Sequence, residues 1–390
     1  MDNCTPGQRL NETMDGLHIA FYCNLMGWPK RSSGGVRQWT LTMANALVAR
    51  GHRVDILTEA PASKFADEPL LDARVQRVLL GRGLFARLRL DAYVRRNPGV
   101  RIVSALNHYN IGAAKLKGRF GDRVHVMLTQ RENLSADAEW LSQRKYRWAI
   151  DGVRRHFGKA DAVVAVSHGL AADLRDNFGV DPARLHAIYN PAFRASFLEA
   201  ARAEVEHPWV TNKERPLVVA AGRLHFVKGF DDLLEAFAKL RGRLDARLLI
   251  LGEGKERARL EAQVRRLELD DAVQLPGRVG SIAPWIARAD LFVLSSRREG
   301  LPAVLVEALA LGKAIVATAC PSGPDEILEH GRWGRLVPVG DVAALSDAMR
   351  DALQAPVPDA AALRARAAEF SLERALEQYL QLWRQPPIAM

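Results

Sequence analysis

The feature that most constrains this chain is an alternation, run twice, of short apolar segments and longer segments with helical periodicity. Strand-like runs lie at Leu17–Cys23 (LHIAFYC), Val54–Leu57, Arg101–Ala105, Val124–Leu128, Ala162–Val166 and Leu185–Ile188. Between the first two, Gln38–Arg50 reads as a helix stopped by Gly51, and Ser167 caps another helix running to about Phe178. After an irregular, charged stretch at Ala201–Arg215, the alternation restarts at Leu217–Ala221. It continues through Arg247–Leu251, Val273–Leu275, Leu291–Leu294 and Ala314–Ala317 and ends near Gly334–Val337. Strands separated by whole helices predict parallel sheets covered on both faces. Two such series predict two α/β domains, which suits 390 residues at roughly 100–200 per domain. The expected division is a loose polar leader over 1–16, a first domain over 17–205 and a second over 206–370. A terminal helix follows over 371–390, its apolar stripe running from Leu372 through Leu376 and Tyr379 to Trp383.

Charge separates the two halves. Residues 1–205 hold 30 Lys and Arg against 20 Asp and Glu, and the remainder holds 25 of each, so the net +10 lies entirely in the first half. A basic half joined to a neutral half suggests an anionic partner for the first alone: a membrane surface, a phosphorylated acceptor or nucleic acid. No helix-turn-helix, zinc-finger or RNA-binding signature accompanies the charge, which disfavours nucleic acid. Three scattered cysteines form neither a disulfide framework nor a zinc pattern and read as a reducing, cytoplasmic setting. No run approaches the ~20 apolar residues of a spanning helix. The first residues lack the charged-then-apolar order of a signal peptide.

Three features of the second half point to a phosphorylated ligand. Gly222-Arg223 follows the strand Leu217–Ala221, with Lys228-Gly229 just beyond, so two cations stand past the carboxyl end of a strand. Leu251-Gly252-Glu253-Gly254 ends another strand with two glycines, which permits close backbone approach. In Ser295–Glu307 (SSRREGLPAVLVE), Glu299 and Glu307 bridge a loop and the helix after it. The helix start between them offers N–H groups to an anion, and flanking carboxylates accept hydrogen bonds from hydroxyls. A nucleotide sugar has that layout.

The stretches GRLHFVKGFDDLLEAF, LILGEGKERARLE, ADLFVLSSRREGLPAVLVEALALGKAIVAT and GPDEILEHGRWGRLVPVGD resemble the nucleotide-sugar domain of the family 4 retaining glycosyltransferases. Glu299 and Glu307 with their seven intervening residues are similar to that family's E-x7-E motif. GGVRQWTLTMANALVARGHRVDILT and AVVAVSHGLAADL followed by IYNP resemble its first domain more loosely. The resemblance implies an α/β GT-B fold, two Rossmann-like domains facing across a cleft, with the terminal helix returning to the first. It implies that Arg223 and Lys228 hold the donor diphosphate and that Glu299 binds sugar hydroxyls. Backbone amides at Gly300 and Leu301 would bind phosphate, Glu307 the ribose, and the Glu253–Gly254 region would lie near the base. Gly34 and Gly35 would approach the phosphate from the first domain. Many members carry a histidine after the strand equivalent to Val124–Leu128. Here the sequence is Thr129-Gln130-Arg131-Glu132-Asn133, similar to a variant in members that handle N-acetylhexosamines. Arg131 is thus a candidate either for the active site or for a structural ion pair, and His108 is a weaker candidate beyond another strand.

No Asp-x-Asp or His/Asp cluster suggests a cation site, so no metal or cofactor is expected beyond the donor, a UDP-sugar. The chain reads as a retaining hexosyl- or N-acetylhexosaminyltransferase. Its acceptor would be a lipid-linked glycan of bacterial lipopolysaccharide, capsule or exopolysaccharide assembly, reached at the inner face of the cytoplasmic membrane. The stretch Gly81–Arg96 (GRGLFARLRLDAYVRR) is basic and amphipathic, suited to an anionic membrane surface or to packing on the first domain. Alternatives are a soluble transferase making a small glycoside or polymer, and a non-catalytic sugar-nucleotide-binding subunit. A damaged donor site would favour the last, and Arg223, Lys228, Glu299 and Glu307 are all present.

Overall fold

In a computed structural model of the protein, the described residues are 16–23, 35–59, 70–136, 144–193, 195–356 and 359–386. Two parallel sheets account for the double alternation. The first holds β1 (His18–Tyr22), β2 (Arg53–Thr58), β3 (Gln76–Leu79), β4 (Val100–Ala105), β5 (Val124–Gln130), β6 (Ala162–Ala165) and β7 (Leu185–Ala187), in the order β3-β2-β1-β4-β5-β6-β7. The second holds β8 (Leu217–Ala221), β9 (Arg247–Leu251), β10 (Val273–Gly277), β11 (Leu291–Leu294), β12 (Ala314–Thr318) and β13 (Arg335–Val337), in the order β10-β9-β8-β11-β12-β13. Each sheet therefore reverses its winding once, between β1 and β4 and between β8 and β11. Loops at such a reversal splay apart and leave a crevice at the strands' carboxyl ends. β3 escaped the sequence reading. It is a four-residue edge strand whose side chains are all exposed or half-exposed, so it carries no apolar run.

Alternation along the first sheet sorts two separate packing layers. Ala20, Ile102, Val126 and Val163 face the helices Gly83–Arg96, Asn107–Phe120 and Arg144–His156. Ile19, Phe21, Val103 and Met127 face the helix Gly35–Ala49 and the helix Leu372–Arg384. The latter helix belongs to the last stretch of the chain, yet its Tyr379 and Trp383 are fully buried against Trp39 and the first sheet. The chain crosses between domains twice at one place, where Ala192 and Phe193 N–H groups both donate to the Phe370 carbonyl, at 3.0 and 3.1 Å.

Two buried ionic groups tie the three-helix layer to the sheet. Lys117 Nζ, fully buried, meets Asp161 Oδ1 at 2.8 Å, and Asp161 Oδ2 accepts from Val126 N–H at 2.7 Å. Lys117, one of the cations that make the first half basic, is thus neutralised in the core. Asp55 on β2, with no exposure, accepts from Tyr93 Oη at 2.5 Å and from the His18 ring at 2.9 Å. Burial pushes its pKa up, but the hydrogen bonds from His18 and Tyr93 and the charges of His18 and Arg53 outweigh this and hold it below the usual carboxylate value. Stability tied to this depressed pKa is present above the unfolded value and fades as pH falls through the folded one. Tyr93→Phe should cost about 1.5–3 kcal/mol at neutral pH, the worth of a hydrogen bond to a charged group. The deficit should shrink as the pH falls below the ordinary carboxylate range, which thermal unfolding at a series of pH values would show. An equal deficit at both ends would refute the role of the charge.

Candidate active site

The crevice of the second sheet lies between the loops that follow β8 and β11, and the two cations and Glu299 come from those loops. After β8 the chain makes a single tight turn, Phe226–Lys228, ended by Gly229 in the left-handed region (φ 59°). His225 begins that turn, its ring accepting from Val227 N–H at 3.3 Å. Arg297, from the loop after β11, grips the turn: its guanidinium donates to Phe226 O at 2.7 Å, Asp231 at 2.9 Å and Asp232 at 2.7 Å. Ser295 Oγ donates to Lys228 O at 2.8 Å. Lys228 is thus a long side chain on a fixed base. Its Nζ meets Glu299 Oε1 at 2.5 Å, and the same oxygen accepts from Ser296 Oγ at 2.6 Å.

The pair sits in a cleft of about 700 Å³, within the range of small-molecule sites. Arg223, Gly222, Glu253, Leu301 and Val304 line it from the second domain, and Gly35 and Glu132 from the first. Of the residues singled out by sequence, the structure thus brings Arg223, Lys228, Glu299, Glu253, Leu301 and Gly35 into one cleft. Gly34 lies outside the described residues. Glu307 is the fifth residue of the helix Ala303–Ala310 and is half-buried, one turn beyond the cleft-lining Ala303 and Val304. Glu253 pairs with Arg257 at 2.6 Å, and that bond holds its pKa below the usual range. Gly254 is needed for packing, since a Cβ there would stand 2.1 Å from the Leu224 carbonyl oxygen.

Arg131 requires a correction. Its Nη1 donates to Asn190 Oδ1 at 2.8 Å and its guanidinium lies 4.1 Å from the Trp39 ring, in surroundings whose desolvation lowers its pKa to about 10. Its partner is a neutral amide rather than a carboxylate, so no ion pair describes it; it lies over Trp39 and is not among the cleft-lining residues, whereas its neighbour Glu132 is. His108 is the second residue of the helix Asn107–Phe120, beside Tyr109 with ring centroids 4.1 Å apart, and is not among the cleft-lining residues.

Three contacts close the domains on one another. Gly300 lies on the backbone of Arg131, so closely that a Cβ would stand 1.9 Å from its carbonyl oxygen. Asn133 Nδ2 donates to Ser322 Oγ at 2.9 Å. Glu326 accepts from the His168 and Gly169 N–H groups at 2.7 and 2.6 Å, capping the first-domain helix His168–Phe178. Arg297 and Glu326 were both in stretches singled out by sequence, but nothing in spacing alone says which loop an arginine grips or which helix a carboxylate caps.

Two sheets of this winding, facing across a cleft, define a GT-B glycosyltransferase fold. The sequence model described as Glycosyltransferase Family 4 matches residues 33–192, and that described as Glycosyl transferases group 1 matches 215–355. The chain belongs to the family 4 glycosyltransferases, a retaining family that uses nucleotide sugars. It is 28% identical over 196 residues to N-acetyl-alpha-D-glucosaminyl L-malate synthase of Bacillus anthracis, covering 50% of this chain and 51% of that one. It is 29% identical over 198 residues to a Campylobacter jejuni N-acetylgalactosaminyltransferase named for a diphospho-undecaprenol acceptor, covering 51% and 52%. These matches thus span about half of each relative. Among solved structures, Anabaena HepE in complex with UDP-glucose superposes with a TM-score of 0.74 at 20% identity, over 94% of this chain and 98% of that one.

Proposed function

We propose that the protein transfers a hexose or N-acetylhexosamine from a UDP-sugar to a lipid-linked glycan acceptor in bacterial lipopolysaccharide, capsule or exopolysaccharide assembly. The observation that carries the reading is the fixed Lys228–Glu299 pair, with Arg223 on the same cleft. Two cations neutralise a diphosphate, and a carboxylate beside them receives sugar hydroxyls. Glu307 takes the ribose and the amides of Gly300 and Leu301 a phosphate. The acceptor hydroxyl oxygen bonds to the anomeric carbon as the carbon–phosphate oxygen bond breaks on the same face. The leaving phosphate oxygen keeps the electron pair and takes the hydroxyl proton. Lys228 and Arg223 stabilise the charge gathered on that leaving group, so this route needs no metal. HepE with UDP-glucose and the diphospho-undecaprenol relative support the donor and acceptor classes. The test is UDP release from a panel of UDP-sugars in the presence of a membrane extract; no release from any donor would refute the reading.

The acceptor side is supported by where the charge lies. The helices Gly83–Arg96, Asn107–Phe120 and Arg144–His156 contain twelve Lys and Arg against two Asp. Lys117 aside, the described ones are exposed, and all three helices cover the same face of the first sheet. On the first helix Leu84, Phe85 and Leu88 are 68%, 71% and 55% exposed beside Arg87 and Arg89, while Ala86, Leu90 and Tyr93 pack inward. An apolar wedge amid arginines suits the boundary of an anionic bilayer. No helix among the described residues is long and apolar enough to cross a membrane, so the docking proposed is peripheral. The protein should float with vesicles containing anionic lipid, and Leu84→Ser/Phe85→Ser/Leu88→Ser should lose about tenfold or more in partitioning. A protein that does not float would favour an acceptor free in solution; the Bacillus anthracis relative is named for L-malate.

A further inference from the structure

The donor chemistry leaves one cleft carboxylate unused. Among the described residues that line the cleft, the first domain contributes Gly35 and Glu132, so Glu132 is its one side chain there. The position of Glu132 relative to the donor domain is set on both sides. The carbonyl before it, that of Arg131, is seated on Gly300, and the residue after it, Asn133, donates to Ser322 Oγ at 2.9 Å. Gln130 Nε2 donates to the carbonyl of Glu132 itself at 2.8 Å. Successive side chains leave this segment in different directions: Arg131 into the core over Trp39, Glu132 into the cleft and Asn133 onto the seam.

A carboxylate at that place repels a diphosphate and cannot serve as its receptor. The cleft lets water reach Glu132 while protein surrounds it, and that enclosure raises its pKa against the opposing charge of Arg298. Lys228 Nζ and Ser296 Oγ both bond Glu299, on the other wall. Arg298 lines the same cleft and offers its charge to Glu132; from a substrate, neutral hydroxyls are the ligands left for the carboxylate to accept from.

We propose that Glu132 is a second hydroxyl-binding carboxylate, contributed by the first domain, which holds a sugar hydroxyl of the substrate from the wall opposite Glu299. This rests on the reading of the cleft as the sugar-nucleotide site. Glu132 moves no proton and makes no bond; it orients a sugar, either the donor's or the acceptor's.

Calorimetry of Glu132→Ala and Glu132→Gln with UDP, UDP-glucose and UDP-N-acetylglucosamine tests the donor arm. UDP release against increasing membrane extract tests the acceptor arm. If the hydroxyl is the donor's, the Ala variant binds a UDP-sugar about tenfold to a hundredfold more weakly, with affinity for UDP itself unmoved. If it is the acceptor's, UDP and UDP-sugar affinities both hold, and half-maximal release needs about tenfold or more extract. In either case the Gln variant, whose amide oxygen still accepts, recovers part of the loss. Equal loss for UDP and UDP-sugars would mean a structural role and overturn the proposal, as would no change in either arm. A wild-type protein that binds UDP-sugars but never releases UDP would sink the proposed function while leaving the calorimetric arm readable.

Discussion

Lys228→Ala should lower turnover of the UDP-sugar by about 10²–10³-fold, the usual loss when one preorganised charge-stabilising donor is removed. The figure depends on how little the lysine must reorganise. Arg297 holds the turn that carries it by hydrogen bonds to Phe226 O, Asp231 and Asp232, and Ser295 holds the Lys228 carbonyl. The ammonium is therefore aimed before any substrate arrives. The substitution also strands Glu299, whose side chain is only 12% exposed, with Ser296 as its remaining hydrogen-bond partner. UDP affinity should fall with turnover, because the same charge meets the diphosphate in ground and transition states. Steady-state UDP release and UDP calorimetry measure both. Unchanged turnover would remove Lys228 from the donor site.

Gly300→Val should abolish most activity with a smaller loss of stability. A Cβ at this position would stand 1.9 Å from the Arg131 carbonyl oxygen and 2.9 Å from its carbon, and both atoms belong to backbone that cannot swing aside. Overpacking of this kind costs about 1–3 kcal/mol when absorbed within a core. Here the seam between domains offers a cheaper escape, since parting them relieves the clash. The expected result is a rise in the radius of gyration by small-angle scattering and a turnover drop of about a hundredfold or more, through misplacement of the two walls. Each domain should keep its core. A variant with normal scattering and normal turnover would mean that the seam is not closed in the working enzyme.

Much of this was legible in the sequence because it rests on local periodicity. Central strands such as LHIAFYC and the run before Ser295 announce themselves by burial on both faces, whereas β3, a short half-exposed edge strand, carries no apolar run. Lys228 and Glu299, which line the cleft, could be singled out since each follows a strand that ends at the sheet's reversal. Arg131 was chosen over Glu132 by likeness of motif. Which of two adjacent side chains turns outward at a strand's end depends on what waits in the core, here Trp39, contributed by a distant helix. The burial of Lys117 was hidden for the same reason. Its partner Asp161 lies far along the chain, and a cation reads as surface until that partner is known.

The helix Leu372–Arg384 has a consequence for synthesis. The layer that buries Trp39 and Leu47 is completed by Tyr379 and Trp383, so the first domain to leave the ribosome waits for residues made after the whole second domain. Until they arrive, that face of its sheet has the helix Gly35–Ala49 but lacks the helix that closes the layer over Trp39, and the apolar surface left open is a hazard for nascent chains. A fragment ending at the linker should therefore be captured by chaperones or aggregate, whereas the second domain, whose sheet and helices are contiguous in sequence, can fold as it emerges.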